Sequence, residues 1–118
     1  MMRDKYAPHI DFEELNGLLG KVVPSNLDMV LERKGKFLVA EWKRDNEKIS
    51  VGQEILLKNL AKKDDFYVLI INGDTDNGMR VGKFWRMDWY GMLNEEGQGL
   101  EKLKDYLVDW YMYVDEMD

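Results

Sequence analysis

The feature that most limits how this chain can fold is the run FYVLIIN at residues 66–72. The run is continuous, apolar and rich in β-branched and aromatic side chains, which is typical of a strand buried on both faces. Such a strand belongs at the centre of a sheet, so the rest of the chain must cover both faces. With 118 residues, 45% of them hydrophobic, the chain fits one domain and leaves little room for a second.

Helical periodicity elsewhere in the sequence predicts the covering layers. Apolar residues recur at helical spacing over 11–19, 49–61 and 100–114, and the last of these helices is rich in Trp and Tyr. Residues 79–87 predict a strand near a sheet edge, because basic residues recur along it. The predicted fold is α/β, with a mixed central sheet flanked by helices in the order helix, strand, strand, helix, strand, strand, helix.

A β-hairpin is predicted before the second helix, and its register follows from its turn. Residues 27–33 and 36–43 are strand-like, and Lys34-Gly35 separates them. Glycine tolerates the positive φ that a two-residue hairpin turn requires. With a turn of this length, the numbers of directly opposed residues sum to 69.

Three charged side chains fall on one face of this hairpin. Asp28 and Glu41 are directly opposed, and Lys43 lies two residues beyond Glu41 on the same face. Two adjacent carboxylates repel each other unless a cation lies between them, and hard oxygen ligands favour Mg²⁺ or Mn²⁺. A solvated strand face with a Glu–Lys pair is the alternative, although the residues flanking both carboxylates are largely apolar.

The pattern Asn26-Leu27-Asp28, twelve residues, and Glu41-Trp42-Lys43 resembles the PD-(D/E)XK phosphodiesterase superfamily. That superfamily includes restriction endonucleases, Holliday-junction resolvases and phage endonucleases, and its motif lies on a β-hairpin between two helices. The resemblance covers roughly residues 11–86, with Leu27 where the family name has proline. It implies a single restriction endonuclease-like domain over 1–118 that hydrolyses DNA phosphodiester bonds with Mg²⁺, for which Mn²⁺ can substitute.

The resemblance also implies roles for individual residues of the motif. Asp28 and Glu41 would be catalytic and hold the metal, together with the backbone carbonyl of Trp42. Lys43 would assist the attacking water.

Two further residues have competing explanations. Gln53 matches a glutamine that many family members carry on the helix after the motif, but a capping box with Ser50 explains it equally well. Some members carry an extra glutamate ligand on the first helix, for which Glu14 is the preferred candidate. A capping box with Asp11 is the better explanation of Glu14.

Basic residues at the hairpin tip and after the motif are candidate contacts for DNA phosphates, although charge at turns is also ordinary solvation. These residues are Arg33, Lys34, Lys36, Arg44 and Lys48.

The charge distribution supplies a second functional hypothesis. The net charge is -6, and residues 91–118 account for all of it with 2 basic and 8 acidic residues, so residues 1–90 are balanced. The alternative function is therefore a non-catalytic nuclease-fold protein whose acidic C-terminal segment binds a basic partner or mimics DNA.

Composition also bears on location and assembly. The chain has no cysteine, no apolar run of membrane-spanning length and no signal-peptide pattern, so we expect a cytoplasmic protein without a membrane partner. By analogy, a small self-contained nuclease suits a phage or mobile element. Small nucleases of this type commonly act as dimers, and the aromatic C-terminal helix is compatible with a homodimer.

Overall fold

A computed structural model describes residues 12–22 and 24–117. Two helices and five strands follow a short 3₁₀ turn at Glu13–Leu15. In chain order the elements are β1 (Met29–Arg33), β2 (Lys36–Lys43), α1 (Val51–Ala61), β3 (Phe66–Asp74), β4 (Arg80–Met87), β5 (Leu93–Gln98) and α2 (Leu100–Asp115).

The strands form one mixed sheet in the order β1-β2-β3-β4-β5. Strands β2 and β3 are parallel, whereas the other three neighbouring pairs are antiparallel. Helix α1 makes the crossover between the parallel pair, as the strand-helix-strand order predicted. The FYVLIIN run lies in the central strand β3, where residues 68–71 are buried, so this prediction is confirmed.

The two faces of the sheet carry separate apolar cores. On one face, Leu57 of α1 packs with Val39 of β2 and Val68 of β3. On the other face, Leu103 and Trp110 of α2 pack against the sheet. The domain is thus a compact α/β sandwich with one helix on each side, which confirms the predicted class. Within the described residues, no helix is long and apolar enough to cross a membrane.

The hairpin has the predicted register. Every β1–β2 pair sums to 69, from Met29 opposite Ala40 to Arg33 opposite Lys36. Lys34 and Gly35 both have positive φ, at 53° and 78°, which is the backbone of a type I′ turn. Local turn geometry therefore fixes which side chains of the two strands are neighbours.

The prediction of a helix over 11–19 is wrong, because residues 12–19 contain only the 3₁₀ turn Glu13–Leu15. Gly17 and Gly20 adopt positive φ and end any helical path. Leu18 and Leu19 are more than 70% exposed, so the segment has no core contact to stabilise a helix. Asp11, the predicted cap, lies outside the described residues.

Strand β5 was not predicted. It forms the edge of the sheet, and β4, predicted near an edge, is the strand next to it. The sequence of β5, LNEEGQ, has neither apolar alternation nor β-branched residues. Instead, a tight turn after β4 brings the chain back to pair with β4 as strand β5. Asp88 accepts hydrogen bonds from the backbone N–H groups of Tyr90 and Met92, each at 2.9 Å.

Candidate active site

The candidate site lies where β2 ends, on the sheet face that α1 covers. Asp28 immediately precedes β1, and continuing the hairpin register places it opposite Glu41. The backbone N–H of Trp42 donates to Oδ2 of Asp28 at 2.8 Å. This bond holds Asp28 against the end of β2 beyond the last backbone pair of the hairpin.

Glu41 is only 2% exposed and is the one buried charged residue among those described. Its Oε2 accepts a hydrogen bond from Gln53 Nε2 at 3.2 Å and lies 3.9 Å from Lys43 Nζ. Its Oε1 is buried without a hydrogen-bond partner. A carboxylate buried with one oxygen unsatisfied is costly for the fold, which is a common feature of functional sites.

Burial, followed by the negative charge and proximity of Asp28, raises the pKa of Glu41 from 4.5 to about 7. The positive charge of Lys43 acts in the opposite direction and lowers this pKa. Without a cation beside it, Glu41 therefore holds a proton up to near neutral pH. A bound cation would replace this proton.

Gln53 connects α1 to the site. The hydroxyl of Ser50 caps α1 by accepting the backbone N–H of Gln53 at 3.2 Å, a contact typically worth about 1 kcal/mol. The side chain of Gln53 does not complete the capping box. It accepts a hydrogen bond from Lys43 Nζ at 2.9 Å and donates to Glu41. The site contact and the helix cap thus use different parts of one residue.

The residues present fit a hard divalent cation. The unpartnered oxygen of Glu41 and the carboxylate of Asp28 are suitable ligands, and Mg²⁺ usually takes one or two carboxylates and completes its shell with water and substrate phosphate. The N–H and C=O of a strand residue point to the same side, so the carbonyl of Trp42 faces the Asp28 side.

Glu14 is the remaining predicted ligand. It is exposed in the 3₁₀ turn Glu13–Leu15. Residues 12–22 and 24–117 contain no group of three or more His, Cys, Asp or Glu able to hold a metal, so this structure does not bring Glu14 to the pair. Its role as a ligand remains a prediction.

The basic residues at the hairpin tip lie at the other end of β2, roughly 23 Å from Lys43 at about 3.3 Å per residue. Arg33 pairs with Asp115, and Lys34 Nζ donates to the backbone oxygens of Asp115 and Met117 at 2.5 and 3.1 Å. Lys36 pairs with Asp65 at 2.5 Å. These contacts tie the hairpin to the C-terminus of α2 and to the start of β3.

The other two predicted phosphate contacts lie beside the site, in the segment that joins β2 to α1. Arg44 forms a two-bond pair with Asp76, at 2.8 and 3.1 Å. Lys48 is exposed, and within the described part of the chain it has no hydrogen bond or ion pair. Of the two predicted cations in this segment, Lys48 is therefore the one without a partner among the described residues.

Asn72 is a site residue that the sequence analysis missed. Its side-chain amide donates to the carbonyl of Lys43 at 3.2 Å and to Asp45 at 2.9 Å. A Cβ at Gly82 would come within 2.2 Å of the side-chain oxygen of Asn72, so the glycine makes room for this side chain. The available signal was a polar residue ending a buried strand, since the carboxyl ends of parallel strands are common ligand sites.

Comparison of the chain with protein-family models, with curated proteins and with solved structures found no match.

Proposed function

We propose that this protein is a metal-dependent nuclease that hydrolyses DNA phosphodiester bonds, with a restriction endonuclease-like core and an endonuclease activity of the resolvase or phage type. One observation carries the proposal. The carboxylate of Glu41 is buried next to Asp28, and its Oε1 has no hydrogen-bond partner. Its Oε2 accepts a hydrogen bond from Gln53 and lies 3.9 Å from Lys43 Nζ. A purely structural site would gain nothing from this uncompensated burial.

The proposed roles follow from charge and donor chemistry. Asp28, Glu41 and the carbonyl of Trp42 would hold Mg²⁺ or Mn²⁺. When bound, the ion stabilises negative charge on phosphoryl oxygens and makes a nearby water more acidic. Lys43 donates hydrogen bonds to the attacking water or to the phosphate. Water attacks phosphorus and gives up one proton to solvent, the bond to one ester oxygen breaks, and that oxygen leaves with a proton from solvent.

Gln53 acts as a positioning residue in this proposal. It forms hydrogen bonds with both Lys43 and Glu41, so it fixes the distance between the ammonium group of Lys43 and the carboxylate of Glu41. Asn72 holds the carbonyl of Lys43 from the neighbouring strand. Lys48 would contact DNA phosphates near the site, and the protein would act in the cytoplasm.

The first prediction is that the purified protein cleaves DNA only with a divalent metal. A screen over branched, linear and circular DNA should show cleavage with Mg²⁺ or Mn²⁺ and none in EDTA. An Asp28→Asn preparation, purified in parallel, controls for contaminating nuclease. No cleavage of any substrate with either metal between pH 6 and 9 would contradict the proposed activity.

The alternative, a non-catalytic binding protein, has less support from the acidic C-terminal segment. Several of its carboxylates already pair with basic residues of the same chain, including Asp115 with Arg33, Glu96 with Arg86 and Glu95 with Lys83. Metal titration by calorimetry separates the two functions. A nuclease must bind Mg²⁺ or Mn²⁺ at Asp28 and Glu41, whereas a binding protein need not.

A homodimer is the second prediction. The surface of α2 leaves Tyr111, Met112 and Tyr113 about half exposed, at 47%, 54% and 59%. An apolar surface of this kind is compatible with a second copy. Light scattering on the eluted protein should give twice the chain mass, and a single 14.0 kDa species would contradict the dimer.

A further inference from the structure

A pocket of about 230 Å³ opens beside the candidate site, over the carboxyl ends of β2 and β3. Its lining includes Lys43, Asn46, Ile49, Ile70 and Trp85. We call it the Trp85 pocket. It is smaller than the roughly 300–1,000 Å³ typical of sites for drug-sized ligands, so it suits a single flat ring system.

The sheet register places the Trp85 pocket in line with the carboxylates. Glu41 pairs with Ile70, and Ile70 pairs with Trp85, so the three side chains share one face across three strands. Neighbouring strands are about 4.8 Å apart, which places Trp85 roughly 10 Å from Glu41. Lys43 belongs both to the candidate site and to the pocket wall. A ligand in the pocket is therefore adjacent to a phosphate held at the carboxylates.

The chemistry of the lining suits a nucleobase. The indole of Trp85 is partly exposed, and Ile49 and Ile70 add apolar surface next to it. Every base has an aromatic face that can stack on such a side chain. Asn46 is exposed, and within the described residues its side chain has no hydrogen-bond partner, so it can bond the edge of a base.

We propose that the Trp85 pocket binds one unpaired nucleobase of the strand whose phosphate lies at Asp28 and Glu41. A base inside a duplex is paired and covered on both faces, so it enters such a pocket only when it is unpaired or flipped out. The preferred substrates are therefore DNA with a single-stranded segment, such as a flap, a gap or an open junction. This inference rests on the proposed nuclease function and extends it to the substrate class.

Equilibrium binding tests the pocket without requiring turnover. Labelled oligothymidine and a blunt duplex of equal length are titrated with protein in Ca²⁺, and fluorescence anisotropy is measured. The wild type should bind the single strand more tightly than the duplex. Trp85→Ala should weaken single-strand binding by roughly tenfold or more, while Trp85→Phe keeps part of the affinity. Trp89→Ala is the matched control, because Trp89 is 58% exposed and is not among the lining residues.

A second measurement covers the case in which Trp85→Ala fails to fold. Trp85→Phe keeps an aromatic ring in the apolar contacts of Trp85, so its fold should survive. Adding oligothymidine should quench tryptophan fluorescence in the wild type and quench it less in Trp85→Phe. Equal quenching in both proteins, or equal preference for duplex and single strand, would overturn the pocket assignment.

The outcomes separate this inference from the nuclease proposal. Metal-dependent cleavage with single-strand binding that ignores Trp85 removes the pocket and leaves the nuclease. Trp85-dependent binding with no cleavage in any metal supports the pocket and removes the nuclease.

Discussion

Asp28→Ala and Lys43→Ala should each abolish metal-dependent DNA cleavage while leaving the fold intact. Removing one preorganised electrostatic group from an active site typically lowers the rate by at least about 10²- to 10³-fold. Asp28 is exposed, and Lys43 lies at the end of β2 where α1 begins to cover the sheet, so neither side chain belongs to the apolar cores. The measurement is the initial rate of cleavage of a DNA substrate, and circular dichroism of each variant checks that the fold is intact.

The structure identifies a charge-only variant and two control variants for this test. Asp28→Ala also removes the acceptor for the Trp42 N–H, whereas Asp28→Asn keeps an oxygen at that place and removes only the charge. Lys104→Ala and Asp105→Ala are matched controls, because both are exposed on α2, on the opposite face of the sheet. Full Mg²⁺-dependent cleavage by either Asp28→Ala or Lys43→Ala would exclude the assigned roles.

Glu41→Gln should lose cleavage and yet be more stable than the wild type at pH 8 without metal. The folded-state pKa of Glu41 is raised to about 7 by burial and by Asp28, against a usual value of 4.5. A carboxyl with a raised folded-state pKa contributes stability that is full below about 4.5 and is lost as pH rises through about 7. At pH 8 the ionised Glu41 therefore destabilises the fold, by on the order of 1–3 kcal/mol.

Thermal unfolding at two pH values measures this effect. At pH 8 in EDTA, Glu41→Gln should raise Tm by several degrees, and the difference should shrink at pH 5. Mg²⁺ should raise the Tm of the wild type at pH 8 and have little effect on the variant. Glu54→Gln is the control, since Glu54 is exposed on α1 and pairs with Lys58. A Glu41→Gln protein less stable than the wild type at pH 8 would contradict the pKa argument.

The sequence by itself determined the hairpin and the placement of its carboxylates. A two-residue turn and the alternation of side chains along a strand are local properties, so Lys34-Gly35 was enough to set Asp28 opposite Glu41. The central strand β3 and the helix α2 were also predictable. The apolar run of β3 is continuous, and the apolar residues of α2 recur at helical spacing along the helix.

Segments with weak local patterns were decided by tertiary contacts. Strand β5 has little strand propensity and forms because β4 offers it a pairing edge after the turn at Asp88. The sequence over 11–19 has a helical pattern, but its described residues have no surface to pack on and form only the 3₁₀ turn Glu13–Leu15.

The side-chain contacts at the site also could not be predicted from the sequence. The sequence allowed Gln53 either a capping box with Ser50 or a role in the site. Only the position of α1 above β2 directs its side chain to Glu41 and Lys43. Burial of Glu41, its unpartnered oxygen and the adjacent Trp85 pocket arise from the packing of α1 and of three strands. Spacing along the chain fixes which residues can be neighbours, whereas burial and pKa depend on all the elements that exclude water from them.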